Sequence, residues 1–211
     1  MKFQEFVKLV QRLPVIESGI LLAGQLDSGA IKVQLSRWVK AGKLIQLKRG
    51  VYLLNSPYRK EDINEYYLAS VLKKPSYISL EKAMEYHNLI PEGVYVYTSL
   101  TTKRPGRFKT EFGDFEYRHI RTSLFWGYEP LTFDGKTMYM ATPEKAMLDF
   151  FYFNHIKVTP DYLESLRLQH MEIIDSARLL EYAERFKKPM IVKAAKILKE
   201  YVDGYKKEEV L

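Results

Sequence analysis

The sequence predicts an α+β protein in two parts, a small domain over residues 1–57 and a larger one over 60–211. Three observations lead there. Apolar spacing changes from helical to alternating near residue 44 and yields a compact helix–hairpin unit. Asn55-Ser56-Pro57 and the polar Tyr58–Glu61 stretch then break the pattern. Beyond that break, short β-rich segments with turn residues between them give way to a helical tail. A hydrophobic fraction of 46% over 211 residues supplies real cores and excludes a disordered chain.

The first helix is expected over Lys2 to Arg12, with Phe3, Phe6, Val7, Leu9 and Val10 as its apolar face and Pro14 ending it. A short second helix over 18–24, capped by Ser18, and a turn from Gly24 to Asp27 follow. Next comes Ser28–Lys40, with Ser28 as N-cap and Ile31, Leu35, Trp38 and Val39 on one stripe. Lys32, Val33, Ser36, Arg37 and Lys40 fall on the opposite face, and Gly42 stands where a helix end needs a left-handed residue. Leu44–Leu47 and Val51–Leu54 pair as a hairpin through Lys48-Arg49-Gly50. A basic-faced helix leading into a basic-tipped hairpin is the winged helix-turn-helix arrangement, in which the helix enters a major groove and the wing reaches phosphates. Residues 1–57 hold nine Lys and Arg against three acids, a net of +6, while the whole chain is +7. The basic excess is therefore local to this unit, and double-stranded DNA is the expected partner. Lys32, Val33, Ser36 and Arg37 are expected to read base edges, with Ser28 opening the helix and Lys40, Lys48 and Arg49 on phosphates. One such unit reads a short site, so two molecules on an inverted repeat are expected.

The larger domain opens with a helix over Ile63–Leu72 that buries Tyr66, Tyr67, Ala69 and Leu72. Tyr77-Ile78 is a short strand. Ser79 then caps a helix with Leu80, Ala83, Met84 and His87 on one face, ended by Pro91. Val94–Leu100 alternates as a strand, and Thr101–Arg107 is a basic loop. Phe108–Phe112 and Phe115–Ile120 form a hairpin across Gly113-Asp114. Leu124–Tyr128 and Leu131–Phe133 are strands, and Asp134-Gly135 is a type I′ signal before the strand Thr137–Met140. Thr142, Pro143 and Glu144 open a helix buried through Ala146, Met147, Phe150 and Phe151. The tail holds helices from Thr159 to about His170, from Asp175 or Ser176 through Phe186, and from Pro189 to Val202. The last points Ile191, Ala194, Ala195, Leu198 and Val202 inward and Lys193, Lys196 and Lys199 outward. The sheet among these elements is expected to be mostly antiparallel.

Several function classes drop out. The chain has no cysteine, which excludes disulfides, thiolate catalysis and cysteine-ligated metal and fits a reducing cytoplasm. No apolar run approaches the length of a membrane span, and charges interrupt the N-terminal helix, unlike a signal peptide. The four histidines, 87, 119, 155 and 170, lack a short ligand spacing, so no metal or cofactor is expected. No Gly-rich phosphate loop or nucleophile elbow is present. Asp114, Glu116 and Arg118 alternate on one strand face, the kind of cluster with which a metal-dependent nuclease orients water. An ordinary half-buried charged strand describes them equally. Thr101, Thr102, Lys103, Arg104 and Arg107 form the densest cationic patch outside the wing, open either to phosphate or to a partner protein.

The ordered set LKRGVYLL, PSYISLEKAMEYHNLIPE, TSLTTKRPGRF, FEYRHI and ATPEKAMLDFFYF resembles the AbiEi family, the antitoxins of bacterial type IV toxin–antitoxin systems, over residues 5–155. The resemblance implies an N-terminal winged helix that represses its own operon at inverted repeats. It also implies a C-terminal domain that counters a nucleotidyltransferase-like toxin encoded nearby, without need of a stable complex. The family's DNA-contacting positions match the Ser28–Lys40 helix and the Lys48-Arg49-Gly50 wing, and no catalytic residue is carried over. The expectation is a cytoplasmic DNA-binding autoregulator and antitoxin, not an enzyme. Its rivals are a nuclease using Asp114 and Glu116 and a winged helix that binds protein.

Overall fold

The computed structural model describes residues 1–19 and 28–208. The fold is mixed α/β with two sheets. Its N-terminal part runs α1 (Phe3–Val10), β1 (Ile16–Glu17), α2 (Ser28–Lys40), β2 (Leu44–Lys48) and β3 (Val51–Leu54), with strands ordered β1-β3-β2 and all antiparallel. The second helix expected over 18–24 lies beyond Gly19 outside the described residues, as do the turn over 24–27 and the Ser28 side chain. α1 buries Phe6 and Val10 and half-buries Phe3 and Val7. Leu9, expected on that face, is 70% exposed because the helical repeat carries it past the edge of the stripe. Phe6, Val10, Ile16, Leu35, Leu44 and Leu54 form a small core, with Trp38 4.7 Å from Phe6 between ring centroids. Gly42 closes α2: its N–H donates to Val39 O and that of Lys43 to Trp38 O, which satisfies the last carbonyls.

A bulge between Gln46 and Lys48 re-aims Leu47. The small sheet is then apolar on both faces. Leu44 and Leu54 look toward α1 and α2, while Leu47, Val51 and Leu53, with Val15, join the larger core of residues beyond 60. The expected break near residue 57 thus marks a change in the chain's course, and packing continues across it.

The larger part runs α3 (Glu65–Leu72), β4 (Ser76–Ile78), α4 (Leu80–Tyr86), β5 (Val96–Thr101), β6 (Gly106–Thr110), β7 (Gly113–His119), β8 (Tyr128–Phe133), β9 (Lys136–Ala141), α5 (Pro143–Asn154), α6 (Pro160–Ser165), α7 (Ser176–Arg185) and α8 (Pro189–Glu208). Its six strands are ordered β6-β7-β5-β4-β9-β8. The three pairs β4/β5, β6/β7 and β8/β9 are antiparallel, and β5/β7 and β4/β9 are parallel. Cross-strand register puts Tyr77 with Leu100 on one face and Ser99 with Tyr117 on the other. The Tyr117 hydroxyl donates to Ala69 O of α3 at 2.5 Å, while Tyr77 reaches α5. Helices therefore cover both faces.

Local boundaries differ from expectation where tertiary pairing decides. Gly113 and Asp114 pair with Thr110 and Lys109 inside the ladder, so the turn is Glu111-Phe112. Thr122–Leu124 is a 3₁₀ turn, and the next strand begins at Tyr128. α6 ends at Ser165, with Arg167 and His170 in the left-handed region. Asp134 and Gly135 both take positive φ, as a type I′ turn requires. The five inward residues expected on α8 are all buried. Among the described residues no helix is long and apolar enough to cross a membrane.

Candidate nucleic-acid interface

α2 is held from beneath. Leu35 is fully buried and Ile31, Trp38 and Val39 are half-buried, so the helix cannot roll. That fixes Lys32, Val33, Ser36, Arg37 and Lys40 on the outer face, all exposed. The face offers two lysines, a guanidinium with fixed fork geometry, a hydroxyl and an isolated apolar side chain. These are the groups that contact phosphate, guanine edges and thymine methyls in a major groove.

The hairpin tip is only partly available. Arg49 is exposed, and Gly50 takes φ +84° so that its carbonyl accepts from the Ser18 N–H at 2.8 Å. Lys48, expected on phosphate, turns inward. Its ammonium donates to Leu72 O at 2.5 Å and lies 3.5 Å from Val71 O, at the C-terminal end of α3. The reason is electrostatic: α3 ends on unpaired carbonyls with the helix's partial negative charge, and Lys48 supplies the missing donor. Burial holds its pKa below the ordinary lysine value, with Glu17 opposing and Lys73 and Lys74 adding to the drop. Lys48 thus ties the hairpin to α3.

The loop patch is also divided. Thr101 is buried, and its hydroxyl donates to Pro75 O at 2.6 Å and accepts from the Lys103 N–H at 3.2 Å, so it belongs to the end of β5 and not to a surface. Thr102 is half-buried, while Lys103, Arg104 and Arg107 are exposed. Lys73 donates to Arg104 O at 2.8 Å and so ties the end of α3 to this loop.

Asp114 and Glu116 share a strand face as expected, but each faces cations. Lys109 is 3.8 Å from Asp114, and Glu116 accepts from Arg118 Nε at 2.9 Å with Arg107 at 3.8 Å. The histidines stay apart: His87 bonds Ala141 O at 2.8 Å, His119 bonds Lys103 O at 3.1 Å, His170 meets Glu172 at 3.2 Å, and His155 is the left-handed residue closing α5. Among the described residues no three His, Asp or Glu side chains gather as metal ligands would.

Sequence reasoning missed a polar cluster beneath the sheet. Thr142 caps α5 by accepting from Lys145 N, as expected, yet Lys145 and Asp149 are then fully buried. They form an ion pair. Lys145 Nζ also donates to the Tyr77 hydroxyl at 2.9 Å, and Asp149 accepts from Tyr77 at 3.0 Å and from Ser79 Oγ at 2.8 Å. The Ser79 hydroxyl therefore serves Asp149, not the α4 cap. The ammonium lies over Trp126 at 4.9 Å and Phe186 at 5.0 Å, and Arg185 covers Trp126 at 3.8 Å. Burial pushes Lys145 down and Asp149 and Tyr77 up from their ordinary values. The legible signal is the all-round apolar character of Ala146–Phe153, which leaves α5 no solvent face for a charge. The cluster is sealed, so it acts as a clamp between α5 and β4. Compared with known proteins, the chain matches no protein-family model and no curated protein sequence.

Proposed function

We propose that this chain is a DNA-binding transcriptional autoregulator and the antitoxin of a type IV toxin–antitoxin system. Residues 1–57 act as a winged helix, with α2 in the major groove and β2–β3 as the wing. One observation carries the DNA-binding half: the exposed Lys32, Val33, Ser36, Arg37 and Lys40 face of a helix locked from below by Leu35 and Trp38. Arg49 contributes a phosphate contact at the tip, and Lys48 fixes the wing's angle against α3. The antitoxin half rests on the AbiEi resemblance over residues 5–155. In this reading residues 60–211 counter a nucleotidyltransferase-like toxin, with Lys103, Arg104 and Arg107 as the exposed cations that a partner would meet. The protein works by binding in the cytoplasm and not by catalysis.

A mobility shift with DNA from directly upstream of the protein's own gene, against unrelated DNA at two salt concentrations, tests this reading. Preference for the upstream DNA and a steep loss of affinity with salt are expected. Arg37→Ala should relax sequence preference, while Arg49→Ala should weaken all DNA about equally. Equal binding to both DNAs by the parent protein would remove autoregulation.

A further inference from the structure

β4 and β9 pair only through Ile78 and Met140. Ahead of that pair a cleft of about 370 Å³ opens, within the size range of small-molecule sites. Its wall is aromatic: Phe125, Tyr128 and Tyr139, with Pro75 beside them. Tyr128 stands edge-on to Tyr139 at 5.6 Å and to Phe125 at 5.2 Å, and its back stacks on Tyr77 at 4.7 Å. Tyr77 is pinned by Lys145 and Asp149, so the wall is fixed before any ligand arrives. Tyr139 is 42% exposed and offers the accessible ring. Ser70, Ser76 and Thr137 line the same cleft; the hydroxyls of Ser70 and Ser76 donate to Tyr67 O and Lys73 O and that of Thr137 bonds Thr132 Oγ1, which leaves each a lone pair to accept from a ligand.

A second depression, about 490 Å³, shares Ser70, Lys74 and Thr137 with the first. Its character is different: it adds Arg12 from the end of α1 and Lys136 from β9. Lys74 pairs with Glu17 at 2.9 Å and Lys136 with Glu61 at 3.4 Å, while Arg12 has no ion-pair partner among the described residues. The Lys74–Glu17 pair is open to solvent and of the kind that contributes little, so an incoming anion can replace Glu17 at low cost, while Lys136, 11% exposed, keeps Glu61. Glu61 and Asp134 remain on the depression's wall, which disfavours a polyphosphate and suits a single phosphate group. Aromatic faces next to hydroxyls next to cations are the ordered needs of a base, a ribose and a phosphate.

We infer that the two depressions together form a binding site for a nucleoside monophosphate, with its base on Tyr139 and Tyr128 and its phosphate toward Arg12, Lys74 and Lys136. The same chemistry is carried by a free nucleotide and by the 5′-phosphorylated end of a nucleic acid. The site is distant in kind from the α2 face and stands whether or not that face binds DNA.

Calorimetric titration of the full chain with adenosine monophosphate tests the site. One saturable site is expected, with adenosine alone and inorganic phosphate alone each at least about tenfold weaker. Tyr139→Ala and Arg12→Ala should each weaken the nucleotide by about tenfold, the range that stacking on one ring supplies, with the parent's melting temperature retained. Lys193→Ala, on the exposed face of α8, should leave the affinity unchanged. A 5′-phosphorylated oligonucleotide of unrelated sequence that binds more tightly, and loses that advantage in Tyr139→Ala, identifies a nucleic-acid end as the source. A nucleotide that binds where the oligonucleotide gains nothing identifies the free ligand. No binding at millimolar nucleotide, or binding insensitive to both Tyr139→Ala and Arg12→Ala, overturns the inference.

Discussion

Lys145 and Asp149 lie one turn apart on α5, a spacing that on an exposed helix is worth a few tenths of a kcal/mol. Inside the core the same pair has different consequences. Each ion has lost its water, and the cost is offset by Tyr77, Ser79 and the facing rings of Trp126 and Phe186. Removing one partner leaves a charge buried alone. Lys145→Met or Asp149→Leu should therefore each cost about 3–5 kcal/mol, while the double variant should cost much less than the two together. Urea unfolding followed by circular dichroism measures this, and strictly additive losses would argue against a coupled pair. His87 gives the pH counterpart. Its Nε2 donates to Ala141 O, and burial holds its pKa below the ordinary value although that bond, Glu144 and Glu129 all favour the charged ring. A depressed folded-state pKa means that the unfolded chain takes up the proton more readily. The contribution is present above about pH 6.5 and is lost as pH falls through the folded-state value. In His87→Gln, which keeps a donor for Ala141 O, that part of the acid-side loss should disappear from the stability–pH curve.

Elements that depend on local chemistry were legible in the sequence; those that depend on what lies across the core were not. Thr142-Pro143-Glu144 starts α5, Asp134-Gly135 makes its turn, and α8 buries the five residues that its spacing selects, since each answer depends on neighbours within one turn. The parallel pairings of β5 with β7 and β4 with β9 join segments whose order no local pattern encodes. Lys48 and Thr101 were misplaced for the same reason: a basic hairpin tip and a basic loop read as surface until α3 and Pro75 supply partners. Of the expected interface, the α2 face follows from helical spacing alone. Gly127 joins the 3₁₀ turn to β8. It takes φ +76°, and a Cβ there would meet Lys145 Cγ and Cδ at 3.0 Å. Gly127→Ala should cost about 1–3 kcal/mol from backbone strain and overpacking together. Gly93→Ala, where a Cβ meets nothing within 4 Å, should be close to neutral. Comparable losses in the two variants, read from denaturant midpoints, would contradict the close approach.

At the scale of the whole molecule, the three-stranded sheet belongs to two cores at once. Leu44 and Leu54 close the small core under α1 and α2, while Val51 and Leu53 lie among residues of the large one. Lys48 on α3 and the Lys74–Glu17 pair add polar ties across the same boundary. A hairpin held in this way is continuous with the packing of the larger part. Two outcomes follow for unfolding. The full chain should melt in one cooperative step by fluorescence and by circular dichroism, because neither core is complete without the shared sheet. A fragment of residues 1–60 should fail to reproduce the N-terminal part's stability, since it exposes Val15, Leu47, Val51 and Leu53 together. Binding of a hydrophobic dye and absence of a cooperative transition are the expected readings for that fragment. A fragment that melted sharply and left the dye dark would mean that the small core is sufficient and that the contact with the larger part is a docking surface.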